Sequence, residues 1–283
     1  MSTYSPHPYW EERLSRHFDL TGAGFAGLGP YYNAQMYQAR LTALERGLGI
    51  LKQSLQGARI LEIGCGTGFY TGYCARAGVG AYVGVDITSV SVSRLREKYP
   101  QFRFVQTDIS GEAHEIETGF DLVLAADVLF HIVQDEGWRK AIQNVASRLR
   151  ERGLLVVSDV FPSKTIQVSE HVRFRSLMDY HTELSKVRLR VVHVEPIFAI
   201  LQPPPLIPDA SWAWQIYAWL WRYSWRLVQW STIDRLLPPV LARLDQRFFI
   251  PKWGKRAPNS KCCLGLKIDV VQIYQDQRLL CYR

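Results

Sequence analysis

Several things are scarce in this chain of 283 residues, and each scarcity closes off a class. There are only five cysteines, with Cys65 and Cys74 apart from the adjacent Cys262 and Cys263. An odd count in that arrangement is no disulfide framework, and no Cys-x-x-Cys spacing offers a metal site. A reducing, cytoplasmic setting fits, with no metal expected. The first fourteen residues, MSTYSPHPYWEERL, carry charges where a signal peptide needs an apolar core. Internal repeats and low-complexity tracts are missing. Basic residues are scattered, with none of the dense runs that grip nucleic acid. The formal net charge of +8 still leaves room for an anionic partner, such as a lipid headgroup or an acidic substrate.

Hydrophobic residues are plentiful, at 47%, which suits a full core in one large domain or a domain with additions. The most informative stretch is 59–73. A short apolar strand over 60–63 runs into Gly64-Cys65-Gly66-Thr67-Gly68, and a helical pattern follows through Tyr70, Tyr73 and Cys74. Glycines suit such a turn because a Cβ would block close approach of a ligand to the backbone, and some positions call for positive φ. The N–H groups at the helix start would then face the ligand's polar end. A dinucleotide Gly-x-Gly-x-x-Gly pattern would need glycine where Phe69 stands. Glu62 would repel a pyrophosphate but suits a ligand carrying an ammonium group; its alternative is a partner for a core arginine such as Arg59 or Arg76.

Strands and helices then alternate as an α/β sheet requires. Strands are expected over 81–85, 102–106, 120–125, 154–158, 190–201 and 261–270. Helices are expected over 89–98, 138–150 and 171–185. Ahead of the core, Tyr9 and Trp10 lead a helical stretch, residues 21–30 form a glycine-rich loop, and a helix opens at Tyr31-Tyr32-Asn33. Ligands of such sheets bind beyond the carboxyl ends of the strands. Asp86 ends the second strand, about 20 positions beyond the glycine turn, where an acid can grip ribose hydroxyls. The alternative for Asp86 is a turn or helix cap before Ser89. Asp108 ends the third strand and has the same alternative.

Glu62-Ile63-Gly64-Cys65-Gly66-Thr67-Gly68 resembles motif I of the class I S-adenosylmethionine (SAM) methyltransferases. The succession of elements over about 55–202 and 261–272 is similar to that family's core. Tyr32, Asn33, Tyr37 and Arg40 fit a Y-N-x-x-x-Y-x-x-R segment of bacterial members. The resemblance implies an α/β, Rossmann-like fold, with a seven-stranded, mainly parallel sheet whose last strand runs antiparallel between the fifth and sixth. It implies SAM as cofactor, S-adenosyl-L-homocysteine as product, and a cofactor site built from Glu62, Gly64, Cys65, Gly66, Gly68, Asp86, Ile87, Asp108, Ile109, Ala125 and Tyr32. Asp108 would meet the adenine amino group, with Ile109 beside it, and the Ala125 carbonyl would meet the methionine ammonium. His131, in Asp-Val-Leu-Phe-His-Ile, matches a stretch that faces the site. It is either a base for the acceptor or a wall of the cofactor pocket. Tyr9, His171 and Arg173 are candidates for the acceptor side, while Arg173 and Arg175 could instead pair with helix carboxylates. Tyr9, Tyr31 and Tyr32 are candidates to face the sulfonium cation.

Four segments result: a helical cap over 1–54, the SAM-binding core over 55–202, a helical insertion over 203–260, and a last strand with tail over 261–283. The insertion opens with three prolines and then places six of the nine tryptophans in 211–230, with Gln215, Arg222, Arg226 and Gln229 on one helical face. Two central arginines argue against a membrane span. A substrate lid, a homodimer contact, a helix lying on a membrane surface and ordinary packing all remain open. The core sheet should be covered without it. A second helix is expected over 233–249. The activity implied is methyl transfer to an oxygen or nitrogen of a small-molecule acceptor. The alternatives are a non-catalytic SAM-fold partner subunit, or transfer to a lipid or macromolecule. No nucleic-acid partner is expected.

Overall fold

The computed structural model of the chain describes residues 4–202, 211–228, 231–253 and 261–267. Three helices come first: α1 (Pro6–Arg16), α2 (Leu20–Ala23) and α3 (Pro30–Ile50). The core follows as β1 (Arg59–Ile63), α4 (Phe69–Arg76), β2 (Ala81–Asp86), α5 (Ser89–Lys98), β3 (Arg103–Gln106) and β4 (Phe120–Ala126). A 3-10 turn at Leu129–His131 leads to α6 (Asp135–Arg148) and β5 (Leu149–Asp159). Then come a hairpin, β6 (Ile166–Ser169) and β7 (Val172–Phe174), α7 (Leu177–Lys186) and β8 (Leu189–Pro196). The insertion supplies α8 (Trp212–Val228), α9 (Ser231–Leu244), a π-helical turn at Asp245–Phe249 and α10 (Ile250–Trp253), before β9 (Lys261–Lys267).

Seven strands form one sheet in the order β3-β2-β1-β4-β5-β9-β8. β1 pairs parallel with β2 and β4, and β4 with β5, while β9 runs antiparallel to both β5 and β8. The expected seven-stranded, mainly parallel α/β sheet is therefore present. Alternation along the strands explains why it is covered on both faces. Ile60, Leu122, Leu124, Leu154 and Val156 join one core with α3, α4 and α5. Leu61, Val123, Ala125, Leu155 and Val157 join the other with α6 and α7.

Some local expectations are corrected. The helix expected from His171 begins only at Leu177, because Ser176 and Asp179 form a capping box there. Residues 166–174 ahead of it form the hairpin, with His171 at its turn. The loop at 21–30 contains α2, whose first N–H groups are capped by Asp19. β8 stops at Pro196, short of the expected 201. The helix expected over 233–249 turns π-helical at Asp245. The three-proline connector, the side chains of Arg222, Arg226 and Gln229, and residues 268–270 lie outside what is described.

The insertion packs on the cap helix α3. Asp234 of α9 accepts the Tyr31 and Tyr32 N–H groups at the start of α3, at 3.2 and 2.9 Å. Asp245 accepts the N–H groups of Ala199, Ile200 and Leu201. Tyr32 is fully buried, its hydroxyl donates to the Leu201 carbonyl at 2.6 Å, and its ring meets Trp221 edge-on. α8 and α9 leave a second set of large apolar side chains exposed, including Trp212, Ile216, Leu236 and Val240.

Candidate functional site

A cleft of about 1060 Å³, open mouth included, lies where the strand order reverses between β1 and β4. Its floor comes from the carboxyl ends of the strands and its roof from the cap. Glu62, Gly64, Cys65, Gly66 and Thr67 line it after β1, Asp86 and Ile87 after β2, and Asp108 and Ile109 after β3. Ala126, Asp127, Val128 and His131 line it after β4, while Pro6, Trp10, Leu14, Ala23 and Tyr37 close it from above.

The glycine turn is shaped by two needs. Gly66 has φ +51, and the nearest atoms to the Cβ it lacks lie 3.8 Å away, so its backbone stands open to a ligand. Gly68 has φ +82, and a Cβ on it would run into Leu95; it shapes the start of α4 and is not on the cleft wall. The loop is largely self-closed. Gly64 and Cys65 N–H donate to the Val85 carbonyl, Gly66 N–H to Asp86, and Gly68 N–H to the Cys65 carbonyl. These four N–H groups are thus spent within the fold, ahead of the helix start at Phe69.

Asp86 is buried and accepts three hydrogen bonds, from Gly66 N–H at 2.8 Å, Thr88 N–H at 2.9 Å and the Thr88 hydroxyl at 2.7 Å. A carboxylate has about four acceptor sites, which leaves roughly one for a ribose hydroxyl. Asp86 is thus loop organiser as well as ribose candidate, and burial pushes its carboxyl up despite those bonds. Asp108 accepts from Ser110 N–H and hydroxyl through Oδ1, the turn geometry foreseen as its alternative, while still lining the cleft. Glu62 is buried and bonded to no arginine. The Tyr82 hydroxyl donates to it, and Thr71 lies 3.4 Å away. Burial raises its carboxyl to about 8.

His131 stands against Trp10, ring centroids 4.8 Å apart and nearly perpendicular, and parallel to His171 at 5.9 Å. Its Nδ1 lies 2.8 Å from the His171 carbonyl oxygen. That contact assigns the proton to Nδ1 and leaves Nε2 as an acceptor. Burial, helped by the nearby positive charge of Arg13, lowers the imidazole to about 3, so the ring is neutral at ordinary pH.

Five further expected site residues are corrected. Ala125 is buried in the core below, and Ala126 takes its place on the wall. Tyr32 points into the α3–insertion core, and Tyr37, five residues further along α3 and so on another face, lines the cleft. Arg173 is tied to Asp135 at 3.1 Å, beside the buried Arg175, away from the wall. Tyr9 and His171 stack on each other at 4.9 Å behind Trp10 and His131, supporting the wall without lining it.

Asp127 is the wall residue whose role was not foreseen. It has φ +57, rare for a residue with a side chain, and its backbone N–H and carboxylate bracket the Ser158 hydroxyl. Arg40 of α3 pairs with it under Tyr37 and Phe198. The signal was the Y-N-x-x-x-Y-x-x-R segment, which names Arg40 but not its partner. Among the described residues no group of three or more His, Cys, Asp or Glu is placed to hold a metal ion.

A cleft at the switch point of a doubly wound sheet, walled by a glycine turn and one acid from each of the next strands, lies where Rossmann-type folds bind nucleoside cofactors. Residues 60–153 match the methyltransferase domain family, which supports the resemblance to the class I SAM-dependent methyltransferases. The chain is 27% identical over 152 residues to an O-methyltransferase, rstn1, of Aspergillus nomiae, covering 49% of this chain and 64% of that relative. The match thus spans less than two thirds of the relative's length. Among solved structures, the fold is shared with the N-methyltransferase NodS of Bradyrhizobium japonicum in complex with S-adenosyl-L-homocysteine, at TM-score 0.52, 14% identity, and 92% and 99% coverage of the two chains. It is shared as well with the [4+2]-cyclase SpnF, at TM-score 0.51, 16% identity, and 81% and 80% coverage.

Proposed function

We propose that this protein binds SAM in the cleft between β1 and β4 and transfers its methyl group to an oxygen or nitrogen of a small molecule. The observation that carries this reading is the convergence of Glu62, the Gly64–Thr67 turn, Asp86, Asp108 and Ala126 on one cleft within the methyltransferase-domain match. The residues suit the cofactor chemically. Gly66 leaves room for close backbone approach, Glu62 faces the ammonium, Asp86 offers a remaining acceptor to the ribose, and Asp108 with Ile109 borders the adenine. Bound there, SAM supplies a methyl group on a sulfonium cation. The chain's own part is to hold the acceptor in line and exclude water, for which Trp10, Leu14 and Tyr37 form an apolar roof. With its imidazole held neutral and weakly basic, His131 is better suited to orient an acceptor than to deprotonate a reluctant one. That favours acceptors that arrive nucleophilic, an amine or a readily ionised hydroxyl.

SpnF shows that this fold also serves a cyclase, so binding and transfer need separate tests. Calorimetric titration should show binding of SAM and S-adenosyl-L-homocysteine and none of NADH. Asp86→Ala should weaken SAM by about 1.5–3 kcal/mol. SAM consumption in the presence of amine and phenol acceptor panels should then yield S-adenosyl-L-homocysteine. NADH binding, or an unchanged SAM affinity in a folded Asp86→Ala protein, would defeat the cofactor assignment. Tight SAM binding with no product over the panels would defeat the assignment to small-molecule methyl transfer.

A further inference from the structure

The insertion is absent from the cleft wall: none of the described residues of α8, α9 or α10 lines it. Instead both long helices bury one face in the same core. Trp221, Tyr217, Leu237, Leu241 and Ala242 belong to or pack against the cluster that contains Tyr32 and Met36. Their opposite stripes therefore point outward together. On α8 this stripe is Trp212, 76% exposed, with Ile216 and Trp219; on α9 it is Leu236, 65% exposed, with Val240 and Leu244, continuing into Phe248. The spacing of three or four residues along each helix makes each stripe one face. Soluble surfaces rarely keep so many large apolar side chains side by side.

The charges around these stripes have one sign. Arg235, Arg243, Arg247 and Lys252 are exposed. The insertion's two described acids, Asp234 and Asp245, are buried, each spent on backbone N–H groups of the body beneath. Among the described residues of the insertion, no acid is exposed, and what reaches solvent is apolar, tryptophan-bearing or cationic, with Ser211, Gln215 and Thr232 as neutral polar residues. No described helix is long and apolar enough to cross a membrane.

We propose that the outer face of α8 and α9 docks on the surface of an anionic lipid bilayer, with the tryptophans in the interfacial layer and the arginines against the headgroups. Apolar stripes flanked by basic side chains and indole rings match that boundary, where apolar burial and attraction to anionic lipid add. A second copy fits less well. A two-fold contact brings the same patch against itself, which would set Arg235, Arg243 and Arg247 near their own counterparts with no acid to pair them. The proposal stands apart from the cofactor reading, since it uses no residue of the cleft.

Co-sedimentation of the full chain with vesicles tests it, using phosphatidylcholine alone and phosphatidylcholine mixed with phosphatidylglycerol. Binding to the mixed vesicles and little to the neutral ones is expected, weakening as salt is raised. A variant with Arg235→Gln, Arg243→Gln and Arg247→Gln should lose about 100-fold in affinity, at roughly fivefold per basic residue. A variant with Ile216→Ser, Leu236→Ser and Val240→Ser, all at exposed positions, should keep its melting temperature and SAM binding but no longer sediment. Failure of the intact protein to sediment with either vesicle overturns the proposal. So does sedimentation unchanged by the serine variant. An intact protein that is a dimer in solution and becomes monomeric on the serine substitutions would assign the face to a second copy instead.

Discussion

A carboxyl group buried as deeply as Glu62 holds its proton until a cation arrives beside it. Desolvation raises it to about 8, outweighing the hydrogen bonds from Tyr82 and Thr71, and the charge of Asp86 adds to the rise. The sign follows directly. Because the folded value lies above the ordinary one, the stability linked to this proton is present at low pH and is lost as pH climbs through about 8. At pH 7 the empty cleft keeps Glu62 largely protonated, whereas an ammonium next to it favours the carboxylate. Cofactor binding at pH 7 should therefore release about one proton. Calorimetry in two buffers of different ionisation enthalpy reads this as a difference in apparent binding enthalpy, absent in Glu62→Gln. Equal enthalpies for the intact protein would show that the ammonium sits elsewhere. His131 gives the complementary expectation. Its neutral ring should show no titration between pH 5 and 8 by NMR, and turnover should carry no inflection that His131→Gln removes. A histidine-type inflection near pH 6.5 that disappears in that variant would make it a base after all.

The central strands were legible because each reads as a short apolar run ending in a small or acidic residue, and a sheet buried on both faces needs such runs. The hairpin at 166–174 was not. Its residues are mixed in polarity, and β6 and β7 pair only with each other, so no core-facing period marked them. The acids were readable as wall residues but not their partners: nothing near Asp86 in sequence says that it would bond Gly66, and nothing near Asp127 points to Arg40. Nor could the sequence show how the cap is held. Glu11 of α1 accepts hydrogen bonds from Ser89 N–H, the Ser89 hydroxyl and Val90 N–H, and so caps α5 from another element. Burial opposes ionisation of Glu11, but these bonds win and hold it below the usual carboxyl range. The latch is therefore complete at neutral pH and weakens as pH falls through that lowered value. Glu11→Ala should speed amide exchange across Pro6–Arg16, over the cleft, with α3 little changed. Exchange equal to that of the intact protein would show that the contacts of Trp10 with His131 and Tyr9 with His171 suffice.

At the scale of the whole molecule, the insertion looked dispensable in the sequence because the sheet needs no cover from it. The packing argues the reverse. α3 begins at Gly29 with no side-chain cap of its own, and the carboxylate that serves its first N–H groups is Asp234, from α9. Gly29 leaves the space, since a Cβ there would run into that carboxyl. α3 in turn carries Tyr37 to the cleft wall and Arg40 to Asp127. A physical chain thus runs from the insertion through the cap to the site. One consequence is cooperativity. Six of nine tryptophans fall in 211–230, so tryptophan fluorescence follows the insertion, while far-ultraviolet circular dichroism follows the whole chain. The two probes should give coincident urea transitions. Asp234→Ala removes a helix cap worth about 1–2 kcal/mol and should move both midpoints together, lowering the melting temperature by about 2–6 °C. It should weaken SAM binding too, although Asp234 lies outside the cleft wall. An early fluorescence transition that leaves the remaining signal and SAM binding intact would mean that the insertion unfolds on its own, and that α3 does not depend on it.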